Sequence, residues 1–171
     1  MILYGMYFCK ESLYQLIRDN GGEWNDSKER PIVCAIKSKE CDGLYWGIPV
    51  GDWNHRDDKA KTRILRYMNY PINDIRSCFY HIGNTTTRSI FFVSDAIPIT
   101  EQYIEREYVN RHTSKIHVIK NTNLISELDR KLRRILAYEN ASTNTFRQHI
   151  TSIKCALVKE LNQTYKGSDS L

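Results

Sequence analysis

Residues 30–56, RPIVCAIKSKECDGLYWGIPVGDWNHR, set the reading of the whole chain. Residues 32–36 are β-branched and apolar, and residues 44–50 are rich in aromatic and branched side chains. Both runs suit a pleated, half-buried surface. Between them KSKECDG has the polar, glycine-ended composition of a turn. The spacing predicts a β-hairpin. After Pro49 the second strand breaks at Gly51. Asp52, Trp53, Asn54, His55, Arg56, two aspartates and Lys59 then follow at once. By composition such a loop is more often a solvated, self-paired connection than a reaction centre.

Working outward, residues 2–8 predict a strand, and Ser12 is placed to cap a short helix carrying Leu13, Leu16 and Ile17. DNGGEWNDSKERP is a loop. Residues 57–76 hold helix formers and suit a short helix that ends before Pro71. Residues 78–82 and 89–93 predict strands either side of a Gly83-Asn84 turn, and Thr100 is placed to cap a helical stretch through Tyr108. In residues 123–138, Leu124, Leu128, Leu132, Ile135 and Leu136 share one helical face. Asn121, Thr122 or Asn123 caps its start, and Arg130, Lys131, Arg133 and Arg134 cluster towards its end, where cations suit the helix dipole. A second helix over 143–161 carries Ile150, Ile153, Leu157 and Leu161, and 167–171 reads as a frayed tail. Strands come first and helices last. That order predicts an α+β fold, an antiparallel sheet with helices on one side, in a single domain over 1–166.

The 171 residues are 41% hydrophobic, enough for one core. The net charge of +5 is uneven: thirteen basic residues face twelve acidic ones in 1–100, but twelve face seven in 101–166. A polyanionic partner and a solvated helical face account for that excess equally well. Five cysteines, at wide spacings and without a CxxC pair, argue against a disulfide framework or a zinc site. There is no secretory leader pattern and no membrane-length apolar run, so a cytoplasmic protein is expected.

Fingerprints for nucleotide cradles, zinc proteases and serine hydrolases are absent, and the histidines show no metal-ligand spacing. No cofactor and no metal is expected. What remains is the polar loop after Pro49, with Asn54, His55 and Arg56 flanked by Lys59 and Lys61. RNA cleavage without a metal needs such an inventory: groups that move protons at the ribose and the leaving oxygen, and cations that hold the charge growing on phosphate. The second polar cluster, HIGNTTTRS at 81–89, reads first as a hairpin turn.

Taken together, LYGMYFCKESLYQLI, the 30–56 hairpin, RSIFFVSDAIPIT and the helices after 121 resemble the ToxN/AbiQ/CptN/TenpN-like group of type III toxin–antitoxin endoribonucleases. The resemblance covers about residues 1–160. It implies a strongly bent antiparallel sheet with flanking helices, related to MazF and Kid. It also implies a sequence-specific, metal-independent endoribonuclease of phage defence that leaves 2′,3′-cyclic phosphate ends. The implied partner is a small repetitive antitoxin RNA, held with the toxin in a closed protein–RNA ring. Tyr7 and Tyr14 match aromatic positions of the group's first segment, where site lining and core packing are equal readings.

One departure bears on the chemistry. The group carries Thr/Ser-Ser-Pro-Lys after its closing proline, whereas Pro49 here precedes Val50-Gly51-Asp52-Trp53-Asn54-His55-Arg56. Either His55 and Arg56 replace the missing groups, or Lys59 or Lys61 swings in, or the chain is an inactive RNA-binding module. The expected catalytic set is His55, Arg56, Asn54, Lys59 and Tyr7. For RNA binding, Arg30, Lys61, Lys115, Lys120, Arg130, Lys131, Arg133 and Arg134 are the expected backbone contacts. Trp53, Trp46 or Tyr80 is the expected platform for an unpaired base.

Overall fold

The computed structural model describes residues 1–25, 30–110 and 113–168. Seven strands, β1 (Met6–Cys9), β2 (Ile32–Lys37), β3 (Leu44–Asp52), β4 (Tyr80–Asn84), β5 (Arg88–Phe92), β6 (Ile97–Thr100) and β7 (Ile104–Glu107), form one sheet in the order β4-β5-β3-β2-β1-β7, with β6 also on β3. All pairings are antiparallel. Four helices flank it: α1 (Glu11–Asp19), α2 (Asp58–Met68), α3 (Thr122–Ala141) and α4 (Ile150–Ser168). The α+β expectation holds, and so does the hairpin, which is β2 and β3.

The bend of the sheet is built into β3. One edge pairs with β2, from Lys37↔Tyr45 to Ile32↔Pro49. The other edge serves two strands in turn: Leu44–Gly47 pairs with β6, and Val50–Asp52 pairs with β5. Pro49 sits at the changeover. The Val50 N–H bonds the Pro31 carbonyl at 2.9 Å, so Val50 faces β2 and Pro49, one residue away, faces the other edge. Proline has no N–H to offer a ladder, and here the lost donor falls in the gap between β5 and β6. Residues 93–96 fill that gap with a tight 3-10 turn at Val93–Asp95. Gln148 holds this corner, donating from Nε2 to the Ser94 and Ala96 carbonyls at 2.9 and 2.8 Å.

Helices cover both faces of the sheet, not one. Successive strand residues point to opposite sides. Val33, Ile48, Val50 and Phe91 pack with Leu124, Leu128, Leu132 and Ile135 of α3. Ile32, Leu44, Ile97 and Ile99 pack with Leu13 and Ile17 of α1 and Ile153 and Leu157 of α4. A third cluster seats Ile64 of α2 against Trp53, Ile90 and Phe92.

Other expectations are corrected. Glu11 opens the first helix, so Ser12 lies inside its first turn rather than at its cap. The turn of the β4–β5 hairpin falls at Thr85–Thr87, closed by the Thr85 N–H on the Thr87 carbonyl at 2.9 Å, and Gly83 and Asn84 remain in the strand. Residues 100–108 are not helical: one 3-10 turn precedes β7, whose pairing with β1 outweighs the local helix signal. Asn121 is the α3 cap, accepting from the Leu124 N–H at 3.0 Å. That helix runs to Ala141, so the basic cluster 130–134 lies mid-helix and its last turn holds no base. The last helix begins at Ile150 and continues to Ser168, into the expected tail; residues 169–171 lie outside the described residues.

Gly47 tests the central packing. A Cβ there would overlap Cγ2 of Ile32 and lie 3.3 Å from Cγ2 of Ile99. Gly47→Ala is expected to cost about 1–3 kcal/mol through overpacking, read as a lower urea midpoint. An unchanged midpoint would contradict this packing.

Candidate RNA-binding cleft

Because β5 and β6 part at Pro49, the corner between them borders an open cleft of about 840 Å³. Five arginines line it, Arg30, Arg56, Arg63, Arg76 and Arg147, with Asp95 as the only carboxylate among the described lining residues. They come from separate places: Arg30 precedes β2, Arg56 follows β3, Arg63 is on α2, Arg76 lies in the 3-10 turn Ile75–Cys78, and Arg147 lies between α3 and α4.

Arg30 and Arg56 form the centre. Each guanidinium carbon lies 5.2 Å from the centroid of the Phe92 ring. A cation on an aromatic face is attracted by the ring quadrupole. Burial, and after it the charge of Arg56, lowers the Arg30 pKa. Gly51 makes the arrangement possible, because a Cβ there would lie 2.5 Å from Nη2 of Arg56 and 3.2 Å from Phe92. The same two arginines line a smaller hollow with Pro31, Val50, Gly51, Asp52 and His55. His55 is 86% exposed and its Nδ1 lies 3.8 Å from Asp52 Oδ2. The loop is shaped by its own aspartates: Asp52 Oδ1 accepts from the Asn54 N–H and Asp57 Oδ1 from the Ala60 N–H, both at 2.7 Å. The latter is the N-cap of α2.

At the corner, Asp95 accepts from Arg147 at 2.8 Å. Burial raises the Asp95 pKa, and the charges of Arg147 and then Arg30 oppose that rise. Glu139, fully buried at the end of α3, fixes the connection that carries Arg147. It accepts from the N–H groups of Asn144, Thr145 and Thr151 and from the Thr151 hydroxyl at 2.6–3.1 Å.

Six aromatic rings line the cleft in an unbroken series of contacts. Phe92 meets Tyr80 at 6.0 Å, Tyr80 meets Tyr67 at 5.7 Å, and Tyr67 stacks on Phe79 at 5.6 Å and 18°. Phe79 then meets Phe146 at 6.0 Å, and Phe146 meets Tyr138 at 6.2 Å. Beside the cleft, a hollow of about 190 Å³ is lined by Tyr14 and Trp24, stacked at 5.4 Å, and by Arg30, Asp95 and Arg147.

Of the residues expected from sequence, Arg30, Arg56 and His55 are brought together, Tyr80 lines the cleft, and Tyr14 lines the hollow beside it. Asn54 is exposed in the same loop. Lys59 borders a separate depression on α2 with Asp57, Asp58 and Arg63, and Lys61 on the same helix lines none of the cavities described here. Tyr7 is corrected: it is buried, and its hydroxyl accepts from the Ile2 N–H at 2.7 Å. Trp53 and Trp46 are corrected as platforms, since both are 7% exposed and packed in the core. Lys131 is corrected as a phosphate contact. It is buried, and its ammonium donates to the Ser77 and Tyr80 carbonyls at 3.0 and 2.6 Å, tying α3 to the start of β4. Arg130 pairs with Glu127 at 2.8 Å, Arg134 donates to the Ile72 carbonyl, and Arg133 lines a different groove with Lys37 and Lys154. Lys115 and Lys120 are exposed outside the cleft. Arg63, Tyr67, Arg76, Phe79, Phe92, Asp95, Tyr138, Phe146 and Arg147 were missed. The Arg63/Tyr67 pair, four apart on one helical turn, was the readable signal among them.

Among the described residues, no cluster of three or more His, Cys, Asp or Glu is placed to hold a metal, and no helix is long and apolar enough to cross a membrane.

No family model and no curated protein sequence matches the chain. Solved structures do. AbiQ, a lactococcal anti-phage endoribonuclease belonging to a type III toxin–antitoxin system, superposes with a TM-score of 0.55 at 9% identity. The match covers 95% of this chain and 98% of that one. A second structure, described for bacterial type III toxin–antitoxin systems with selective toxin inhibition by a non-coding RNA pseudoknot, gives 0.47 at 13%, covering 95% and 97%. At the AbiQ identity the likeness establishes a shared fold over nearly the whole chain, and the fold expected from the sequence resemblance is the one found.

Behind the cleft, His81 Nδ1 is buried and has no hydrogen-bond partner among the described residues. Burial first, and the charge of Lys131 second, push its pKa down from 6.5 to about 4. Between those values the unfolded chain binds the extra proton, so this histidine makes stability fall as pH drops from 6.5 towards 4. Asp95 and Asp129, whose pKa values are raised by burial, act in the opposite sense. The urea midpoint of His81→Gln is therefore expected to fall less than that of the wild type over this range; equal falls would refute the assignment.

Proposed function

We propose that residues 1–166 of this chain are a metal-independent endoribonuclease, the toxin of a type III toxin–antitoxin pair. One observation carries the reading: two guanidiniums share the Phe92 ring next to the exposed His55, in an arginine-lined cleft. The AbiQ-like fold supports it.

In this reading a backbone phosphate lies against Arg30 and Arg56, whose forked donors match its oxygens. His55 takes the proton of the neighbouring 2′-hydroxyl. The 2′-oxygen attacks phosphorus, the bond to the 5′-oxygen breaks, and water returns a proton to that oxygen. The products are a 2′,3′-cyclic phosphate and a 5′-hydroxyl. The arginines hold the charge that grows on the non-bridging oxygens, the contribution lost with the lysine of the Ser-Pro-Lys pattern. A small repetitive antitoxin RNA would occupy the same basic surface and close a ring with the toxin in the cytoplasm. Cleavage would be sequence-specific and directed at cellular or phage RNA.

Incubation of the purified chain with RNA in EDTA is expected to give cyclic-phosphate ends. His55→Ala and Arg56→Ala should each lower the rate about a hundredfold or more, with folding retained. Salt-dependent RNA binding without any cleavage would instead establish the RNA-binding module that the missing hydroxyl–lysine pattern favours. Full activity in both variants would remove His55 and Arg56 from the mechanism.

A further inference from the structure

We propose that the aromatic series leading away from Arg30 and Arg56 is a subsite for single-stranded RNA, stacking about two or three unpaired bases. Only its placement beside the phosphate to be cut rests on the nuclease reading; the binding itself does not.

The rings differ in exposure. Phe92 and Phe146 are 9% exposed and form the backing. Tyr67, Phe79 and Tyr80 are half-buried, and Tyr138 is 44% exposed. A series that served only the core would have no reason to leave a tyrosine that open on a cleft. The surroundings identify the ligand. Arg63, Arg76 and Arg147 line the same cleft as the rings; Asp95, paired with Arg147, is the only carboxylate among the described lining residues, and Asp74, which is not among them, pairs with Arg76. Aromatic faces suit bases, and interspersed guanidiniums suit the phosphates that join them. In a duplex the base faces are already covered by their neighbours, so paired RNA offers the cleft only its phosphates. The series begins at Phe92, the ring that carries Arg30 and Arg56, so a strand lying along it places one of its phosphates at that pair.

The test is fluorescence anisotropy on the intact chain with a short 2′-O-methyl oligonucleotide, which cannot be cut by its own 2′-oxygen. Its duplex and an abasic strand of equal charge are the comparisons. The single strand is expected to bind about tenfold tighter than either. Tyr67→Ala and Tyr138→Ala should each weaken it about tenfold, leave the abasic strand unaffected, and be rescued in Tyr67→Phe. Arg63→Ala should weaken both strands and flatten the salt dependence. Equal affinity for the abasic strand would overturn the proposal, as would unchanged binding in both alanine variants. Displacement by a poly-glutamate peptide as effective as RNA would also overturn it. Base-dependent binding by a chain that leaves natural RNA intact would uphold this subsite while removing the nuclease reading. Cleavage without base dependence would do the reverse.

Discussion

The structure depends on a single missing N–H. Pro49 occupies a central strand, where a proline normally removes a ladder bond and weakens the sheet. Here the strand changes partners at that residue, from β6 over Leu44–Gly47 to β5 over Val50–Asp52. The lost donor faces the gap between the two, so the sheet loses nothing there and bends. Four residues, 93–96, cross a gap that β3 spans with two, and the excess chain forms the corner that carries Asp95. The bend brings the end of β5, the entry to β2 and the exit of β3 to one place. Phe92, Arg30 and Arg56 occupy those three positions.

Assembling the cleft has an electrostatic cost. Two guanidiniums beside one ring repel each other, and the lowered pKa of Arg30 records both its burial and its neighbour. The Phe92 quadrupole and the Asp95 carboxylate offset part of that repulsion, to which Arg147 adds, and a bound polyanion would offset more. Packing of the sheet against α3 and α4, and of Phe92 against Ile64 of α2, holds the arrangement in place. Glu139 fixes the α3–α4 connection, Gln148 fixes the corner, and Lys131 fixes the start of β4, where Tyr80 enters the cleft. Three polar side chains, each nearly or fully buried, thus act on backbone groups rather than on a ligand. Lys131 shows why basic residues on a helix are poor guides to phosphate contacts: the face that its position dictates is the buried one.

The polar stretch after Pro49 is self-paired, as its composition suggested, since Asp52 and Asp57 bind backbone N–H groups of their own loop. It also borders the cleft. The two readings of that stretch are therefore compatible. The loop's own aspartates give it shape, and that shape leaves His55 exposed and Arg56 folded back over Gly51. The glycine that looked like a strand breaker is the space in which the guanidinium lies.

The sequence by itself determined the local elements with strong periodicity, the β2–β3 hairpin and the leucine face of α3, and it narrowed the α3 cap to three adjacent residues, of which the structure selects Asn121. Alternation and helical spacing are written in adjacent residues. It also located the loop that holds His55 and Arg56. It failed at 100–108, where a local helix signal lost to strand pairing with distant β1, and at Trp53, Trp46, Tyr7 and Lys131, where residue type said nothing of facing direction. Only the tertiary structure decided the cleft, because its lining comes from seven separated segments that no spacing rule connects. They meet because β3 changes partners at Pro49, and a change of partner is a property of three strands together rather than of any one of them.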